Sequence, residues 1–174
     1  MTTSEGAEPA TVDQPGFKKH VAKIAALLSS ETFPAGDRAV LKRMTPEGDP
    51  PLAFYRFAFR YLPDDWERRP KDWMTIIAGI ALMSRNPHNP SQPAGQVLSE
   101  AGYSEKRLER LLAAREEMLQ LLVLRAARFL SAQGKSVNWN DFAQLILSHD
   151  REKSEAARHS IARDYYRHQT KNKE

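Results

Sequence analysis

The run from Ser104 to Gln133 limits the fold more than any other stretch of this 174-residue chain. Leu108, Leu111, Leu112, Met118, Leu119, Leu122, Ala126, Phe129 and Leu130 recur at the three-and-four spacing that gathers side chains on one face of a helix. Ser104 is a suitable N-cap in front of this run, and Gly134 a suitable stop behind it. Arg115 falls inside the apolar stripe. That leaves two readings: the helix breaks there, or Arg115 is buried and paired. Leu121 and Leu124 fall on the outward side, so this helix is expected to pack on more than one side. Nowhere does a strand-length run alternate with a period of two. The expected fold class is therefore all-α, with seven or eight helices in two small packed bundles.

The remaining helices follow from periodicity and punctuation. Residues 1–16 carry Glu5, Glu8 and Asp13 and no Lys or Arg, with almost nothing apolar to bury, and are expected to be a disordered acidic tail. Phe17 to Leu28 reads as the first helix. A second helix over 37–44 follows the Pro34-Ala35-Gly36 break, with Asp37 as its N-cap. Asp49 is placed to cap a third helix, with Pro50 and Pro51 in its first turn. From Leu52 to Leu62 that helix is apolar or aromatic almost all round, which predicts burial, and Pro63 ends it. Asp64 to Pro70 is a charged linker containing Trp66. Asp72 is read as the cap of a helix over 73–83. Residues 85–93, with three prolines, form a polar surface loop. A short helix over 94–101 ends at Gly102, Asn138 caps a helix over 139–147, and the last helix covers about 153–168. This organisation predicts an N-terminal helical subdomain over 17–102, a C-terminal one over 103–168, and a frayed end at 169–174.

Composition removes several classes of function. There is no cysteine, so thiolate catalysis, disulfides and Cys-based zinc sites are excluded, and the composition suits a cytosolic protein. No run of about 18 apolar residues exists to span a membrane, and no secretory signal is evident. His20, His88, His149, His159 and His168 are scattered, without metal-ligand spacing, and His149-Asp150 reads as a pair at a helix end serving the helix dipole. No phosphate-binding glycine loop or nucleophile elbow occurs. No enzyme, cofactor or metal is expected.

Charge carries more information. The net charge is +4, and since residues 1–16 contribute −3 the rest of the chain carries +7. A basic body suits an acidic partner, most often nucleic acid. In the second helix Arg38 and Lys42 lie four apart and Arg43 flanks them, with no acidic residue after the cap. Like charges at this spacing repel by roughly a few tenths of a kcal/mol, which an external anion would offset. The alternative is a solvated face, with Arg38 paired elsewhere in the fold. Arg56 and Arg60 repeat the four-residue spacing on the aromatic helix, where an internal carboxylate or carbonyl would serve them as well as a ligand.

Five segments in order resemble a known family. They are Gly36-Asp37-Arg38-Ala39-x-Leu41-Lys42-Arg43; Phe54-Tyr55-Arg56-Phe57; Leu98-Ser99-Glu100-Ala101-Gly102-Tyr103-Ser104-Glu105-x-Arg107-Leu108-x-Arg110-Leu111-Leu112; Val137-Asn138-Trp139; and Arg158-x-x-x-Ile161-Ala162-Arg163-Asp164-Tyr165-Tyr166. Together they resemble CasB, the small helical subunit of the type I-E CRISPR surveillance complex Cascade. The likeness spans roughly 17–168. It departs at Lys42, where the family favours Arg, and in the acidic N-terminal segment.

The resemblance implies a non-catalytic, two-part helical subunit, present as two copies in a crRNA-guided complex. It would contact the other Cascade subunits and stabilise the guide–target hybrid and the displaced strand of the target DNA. Such a strand is held through its phosphates by a basic groove, without base readout. The expected groove residues are Arg38, Lys42, Arg43, Arg56 and Arg60 from the first half, and Arg107, Arg110, Arg125 and Arg128 from the second. The competing reading is a pure scaffold, in which faces such as Leu121/Leu124 bind proteins and the arginines meet acidic partner surfaces. A helix-turn-helix regulator is a weaker third, because the helix after 37–44 is too apolar for a major groove.

Overall fold

Prolines set where several helices begin. The computed structural model describes residues 15–83 and 85–173. Its elements are α1 (Pro15–Ser29), α2 (Ala35–Lys42), α3 (Leu52–Tyr61), a 3₁₀ turn (Trp66–Arg68), α4 (Pro70–Leu82), α5 (Ala94–Glu100), α6 (Glu105–Ala113), α7 (Glu116–Ala132), α8 (Trp139–Leu147) and α9 (Arg151–Lys171). Pro34, Pro51 and Pro93 sit immediately before α2, α3 and α5, and Pro70 opens α4. A ring-fixed φ suits these positions, where no intrahelical N–H bond is forfeited. This corrects three expected caps. Asp37 lies inside the first turn of α2 and pairs with Arg56 at 2.9 Å. Asp49 precedes α3 by three residues and Pro51 occupies the cap. Asp72 lies within α4, buried, accepting from Gln120 Nε2 at 2.7 Å and facing His149 Nε2 at 3.2 Å. Ser104 and Asn138 do cap, through Arg107 N–H (3.3 Å) and Asn140 N–H (3.1 Å). Asp150 caps α9, so His149-Asp150 divides between two structural tasks instead of forming one helix-end pair.

Nine α-helices are present among the described residues, against seven or eight expected, because the Ser104–Gln133 pattern is two helices. Ala114 and Arg115 are extended and Glu116 has φ +50°, so the chain breaks where Arg115 interrupts the stripe. Arg115 is exposed and donates to the carbonyls of Leu112, Ala113 and Ala114 at 3.3, 2.9 and 2.9 Å. Arg158 of α9 donates to Leu112 O at 2.6 Å and Ala114 O at 3.4 Å. Two guanidiniums thus satisfy carbonyls that a terminating helix leaves orphaned, at the end where the dipole favours cations. Burial, and then the Arg115 charge, lower the Arg158 pKa.

The core is organised on α4, in which every residue from Asp72 to Leu82 is buried. It packs against α1, α2, α7 and α8, and buried side chains from both halves of the chain form one cluster. α5 lies against α9 so closely that a Cβ on Gly95 would stand 2.1 Å from Ile161 O, which requires glycine there. Among the described residues no strand forms, only an isolated bridge between His88 and Val137. That bridge corrects the surface-loop expectation for 85–93: Asn89 N–H donates to Val137 O (3.0 Å), Asn138 N–H to Gln92 O (2.8 Å), and Pro87 is buried.

Two burial expectations also fail. α3 buries Ala53, Phe54, Phe57 and Ala58, but Leu52 is 75% and Phe59 71% exposed. Trp66 folds back from the supposed linker, buried, and its ring meets Phe54 and Phe59 edge-on. Leu124 is buried, not outward, while Leu121 is half-buried. The expected tail over 1–16 lies, up to residue 14, outside the described residues, and residues 15 and 16 open α1.

Candidate nucleic-acid interface

Helix geometry separates the cations from the core. On α7, Val123, Ala126, Ala127 and Leu130 face inward, which leaves Arg125 and Arg128 exposed one turn apart. On α2, Leu41 is buried, as is Met44 just beyond it, and Lys42 and Arg43 are exposed. α2 and α7 both pack on α4. Lys42, Arg43 and Arg128 therefore converge, with Leu82 at the end of α4, around one concavity of about 440 Å³.

Aromatic rings extend this group to α6. The Arg107 guanidinium stands 5.5 Å from the Phe129 ring of α7 and 6.0 Å from the Tyr103 ring. Such stacking orients a guanidinium while leaving its edge free to donate. Burial raises the Tyr103 pKa, and Arg107 and Arg125 both act against that rise, so both charges lie near the same phenol. Arg110 follows Arg107 by one turn of α6 and is exposed. The result is a basic track running from Lys42 and Arg43 through Arg128 and Arg125 to Arg107 and Arg110. Among the described residues none of these six makes an ion pair.

The other three expected residues are placed differently. Arg38 donates Nε to Leu28 O (2.9 Å) and Nη2 to Ser30 O (2.6 Å), closing the end of α1, and its guanidinium lies 5.7 Å from the Phe33 ring. Its fork is occupied by the fold. Arg56 and Arg60 line a second concavity, of about 420 Å³, between the end of α1, the start of α2 and α3. Arg56 holds Asp37 in a largely exposed pair, worth under about 1 kcal/mol. Arg60 lies 6.0 Å from the Tyr61 ring centroid, and Lys23 of α1 lies 5.4 Å from the same centroid. Lys23 was not among the expected residues. On the helical repeat it is simply a solvated lysine, and only the fold brings it to the ring of Tyr61, which lines the cleft.

Among the described residues no three His, Asp or Glu side chains are grouped to hold a metal ion, and no helix is long and apolar enough to cross a membrane. Comparison with protein families matches residues 37–166, about three quarters of the chain, to the family described as CRISPR-associated protein Cse2. Neither the curated proteins nor the solved structures include a match to the chain. The match begins in α2, ends in α9 and contains all nine expected basic residues. The chain belongs to the Cse2 family, the CasB small subunit of type I-E Cascade.

Proposed function

We propose that this protein is a non-catalytic subunit that steadies nucleic acid within a crRNA-guided Cascade complex, along the track formed by Lys42, Arg43, Arg128, Arg125, Arg107 and Arg110. Family membership implies association with other Cascade subunits. On this reading the subunit works in the cytoplasm, beside a second copy of itself, and its ligands are the guide–target hybrid and the displaced DNA strand. The observation that carries the reading is the set of six exposed cations from three helices without an ion pair among the described residues. Five are arginines, whose planar forks suit phosphate oxygens. A track of this kind follows a backbone without reading bases.

Counterion release makes the proposal quantitative. Six phosphate contacts to a single strand give a slope of log K against log salt of about −4. The combined substitution Lys42→Ala, Arg43→Ala, Arg128→Ala should reduce that slope by roughly two units in filter-binding titrations of single-stranded DNA. An unchanged slope would remove the track. Co-expression of the tagged protein with its genomic neighbours tests the assembly, and the expected product is a ribonucleoprotein with a short guide RNA. The exposed Leu52 and Phe59 favour a second reading, a scaffold that touches only proteins. That reading predicts no salt-sensitive DNA binding by the isolated chain.

A further inference from the structure

The cleft beside Tyr61 lies apart from the basic track and has a different composition. Phe33, Phe57 and Tyr61 line it, and Arg56 and Arg60 stand among them. Its volume, about 420 Å³, falls in the roughly 300–1,000 Å³ range of small-ligand sites. Tyr61 is half-buried, and two exposed cations, Arg60 and Lys23, approach its ring. Neither makes an ion pair among the described residues. The carboxylate lining the cleft, Asp37, is already neutralised by Arg56 at 2.9 Å. Ser30 and Thr32, joined hydroxyl to hydroxyl at 2.8 Å, supply polar groups at the edge.

An aromatic ring beside unpaired cations in a concave site matches the two parts of a nucleotide. The ring face takes a base, and the cations take its phosphate. We propose that this cleft holds one unstacked base of a single-stranded nucleic acid, with Tyr61 as the stacking surface and Arg60 and Lys23 on the flanking phosphates. The proposal rests on the nucleic-acid reading above and adds a base-dependent contact to a track that reads only backbone. Stacking on a ring tolerates any base, so the contact adds affinity without sequence preference. An acidic protein segment in the same cleft would show no dependence on bases.

The test compares a thymidine 20-mer with an abasic 20-mer of equal phosphate count, titrated against the full chain across a salt series. The intact strand should bind about tenfold more tightly, with the same salt slope. Tyr61→Leu keeps apolar bulk but removes the ring, and should abolish that tenfold preference while leaving the slope unchanged. If Tyr61→Leu does not fold, Tyr61→Met, which is also without a ring, replaces it, with the same expected loss. Arg60→Ala should lower the slope by about 0.7 unit. The track variant Lys42→Ala, Arg43→Ala, Arg128→Ala should lose slope and keep the preference. Equal binding of both strands to the wild-type chain, with a normal salt slope, overturns the base site alone. A preference that survives in the cleft variant also overturns it. Binding of neither strand overturns the nucleic-acid reading and the base site together.

Discussion

At the scale of single residues, the question for each cation is whether the fold already uses it. Arg38, Arg115 and Arg158 all donate to carbonyls at helix ends, whereas Lys42, Arg43, Arg110 and Arg128 donate to none among the described residues. Periodicity cannot separate these groups, because a few residues of drift in a helix end decides which arginine meets orphaned carbonyls. Asp141 poses the same question for an acid. Its Oδ2 accepts from Ala94 N–H at 2.8 Å, closing the start of α5. Burial raises its pKa above 3.8, the Ala94 hydrogen bond opposes the rise, Asp164 adds to it, and Lys18 and Arg163 oppose it. A raised folded pKa means that the folded state binds this proton more tightly than the unfolded chain. Stability from this group is therefore full below pH 3.8 and is lost as pH rises through the raised value. Asp141→Asn can still accept from Ala94 and cannot ionise. Urea unfolding at a series of pH values should show the variant gaining on the wild type from about pH 4 upward and then levelling off. A constant difference across the series would mean that Asp141 titrates normally.

At the scale of elements, most helices were legible, as were the starts capped by Ser104 and Asn138, but several other ends were not. The apolar stripes of α1, α4, α8 and α9 fell where expected, since burial of one face dominates helix formation in a folded chain, whereas that of α7 is turned, with Met118 exposed and Leu124 buried. The starts of α2, α3 and α4 were misplaced because an aspartate competes poorly with a proline already holding the required φ. Asp72 was drawn instead to Gln120 and His149, 48 and 77 residues away, partners that no local pattern reveals. The α6–α7 break was signalled by Arg115, but its geometry was not. Glu116 there has φ +50°, a conformation that costs an L-residue roughly 1–2 kcal/mol. Glu116→Gly should relieve that strain, offset in part by the weaker helix propensity of glycine and by one fewer acid at the start of α7. Glu117 remains there to meet the dipole. The expected net gain is up to about 1 kcal/mol, read as a higher urea midpoint with unchanged m-value. A lowered midpoint would show that the turn is held without strain.

At the scale of the whole molecule, the track exists only because three separated segments, at 42–43, 107–110 and 125–128, meet through α4 and the Tyr103–Phe129 contact. The residue types were visible in the chain, and their convergence depended on packing. That convergence has a thermodynamic consequence in the free protein. Like charges gathered on one face repel, so the unliganded fold carries an electrostatic cost that a polyanion removes. A ligand that binds the folded state alone stabilises it by about 2.7 kcal/mol at one hundred times Kd. For a chain of this size that corresponds to a rise in Tm of roughly 5–10 °C. Differential scanning fluorimetry with saturating single-stranded DNA at low salt should show this rise, and it should shrink as salt approaches several hundred millimolar. The triple variant Lys42→Ala, Arg43→Ala, Arg128→Ala should lose most of the rise while its unliganded Tm stays level or increases slightly, since the substituted side chains are exposed and mutually repulsive. A variant that keeps the full rise would place the anion elsewhere on the molecule. One that melts well below the wild type without ligand would show that these cations have internal partners and are structural.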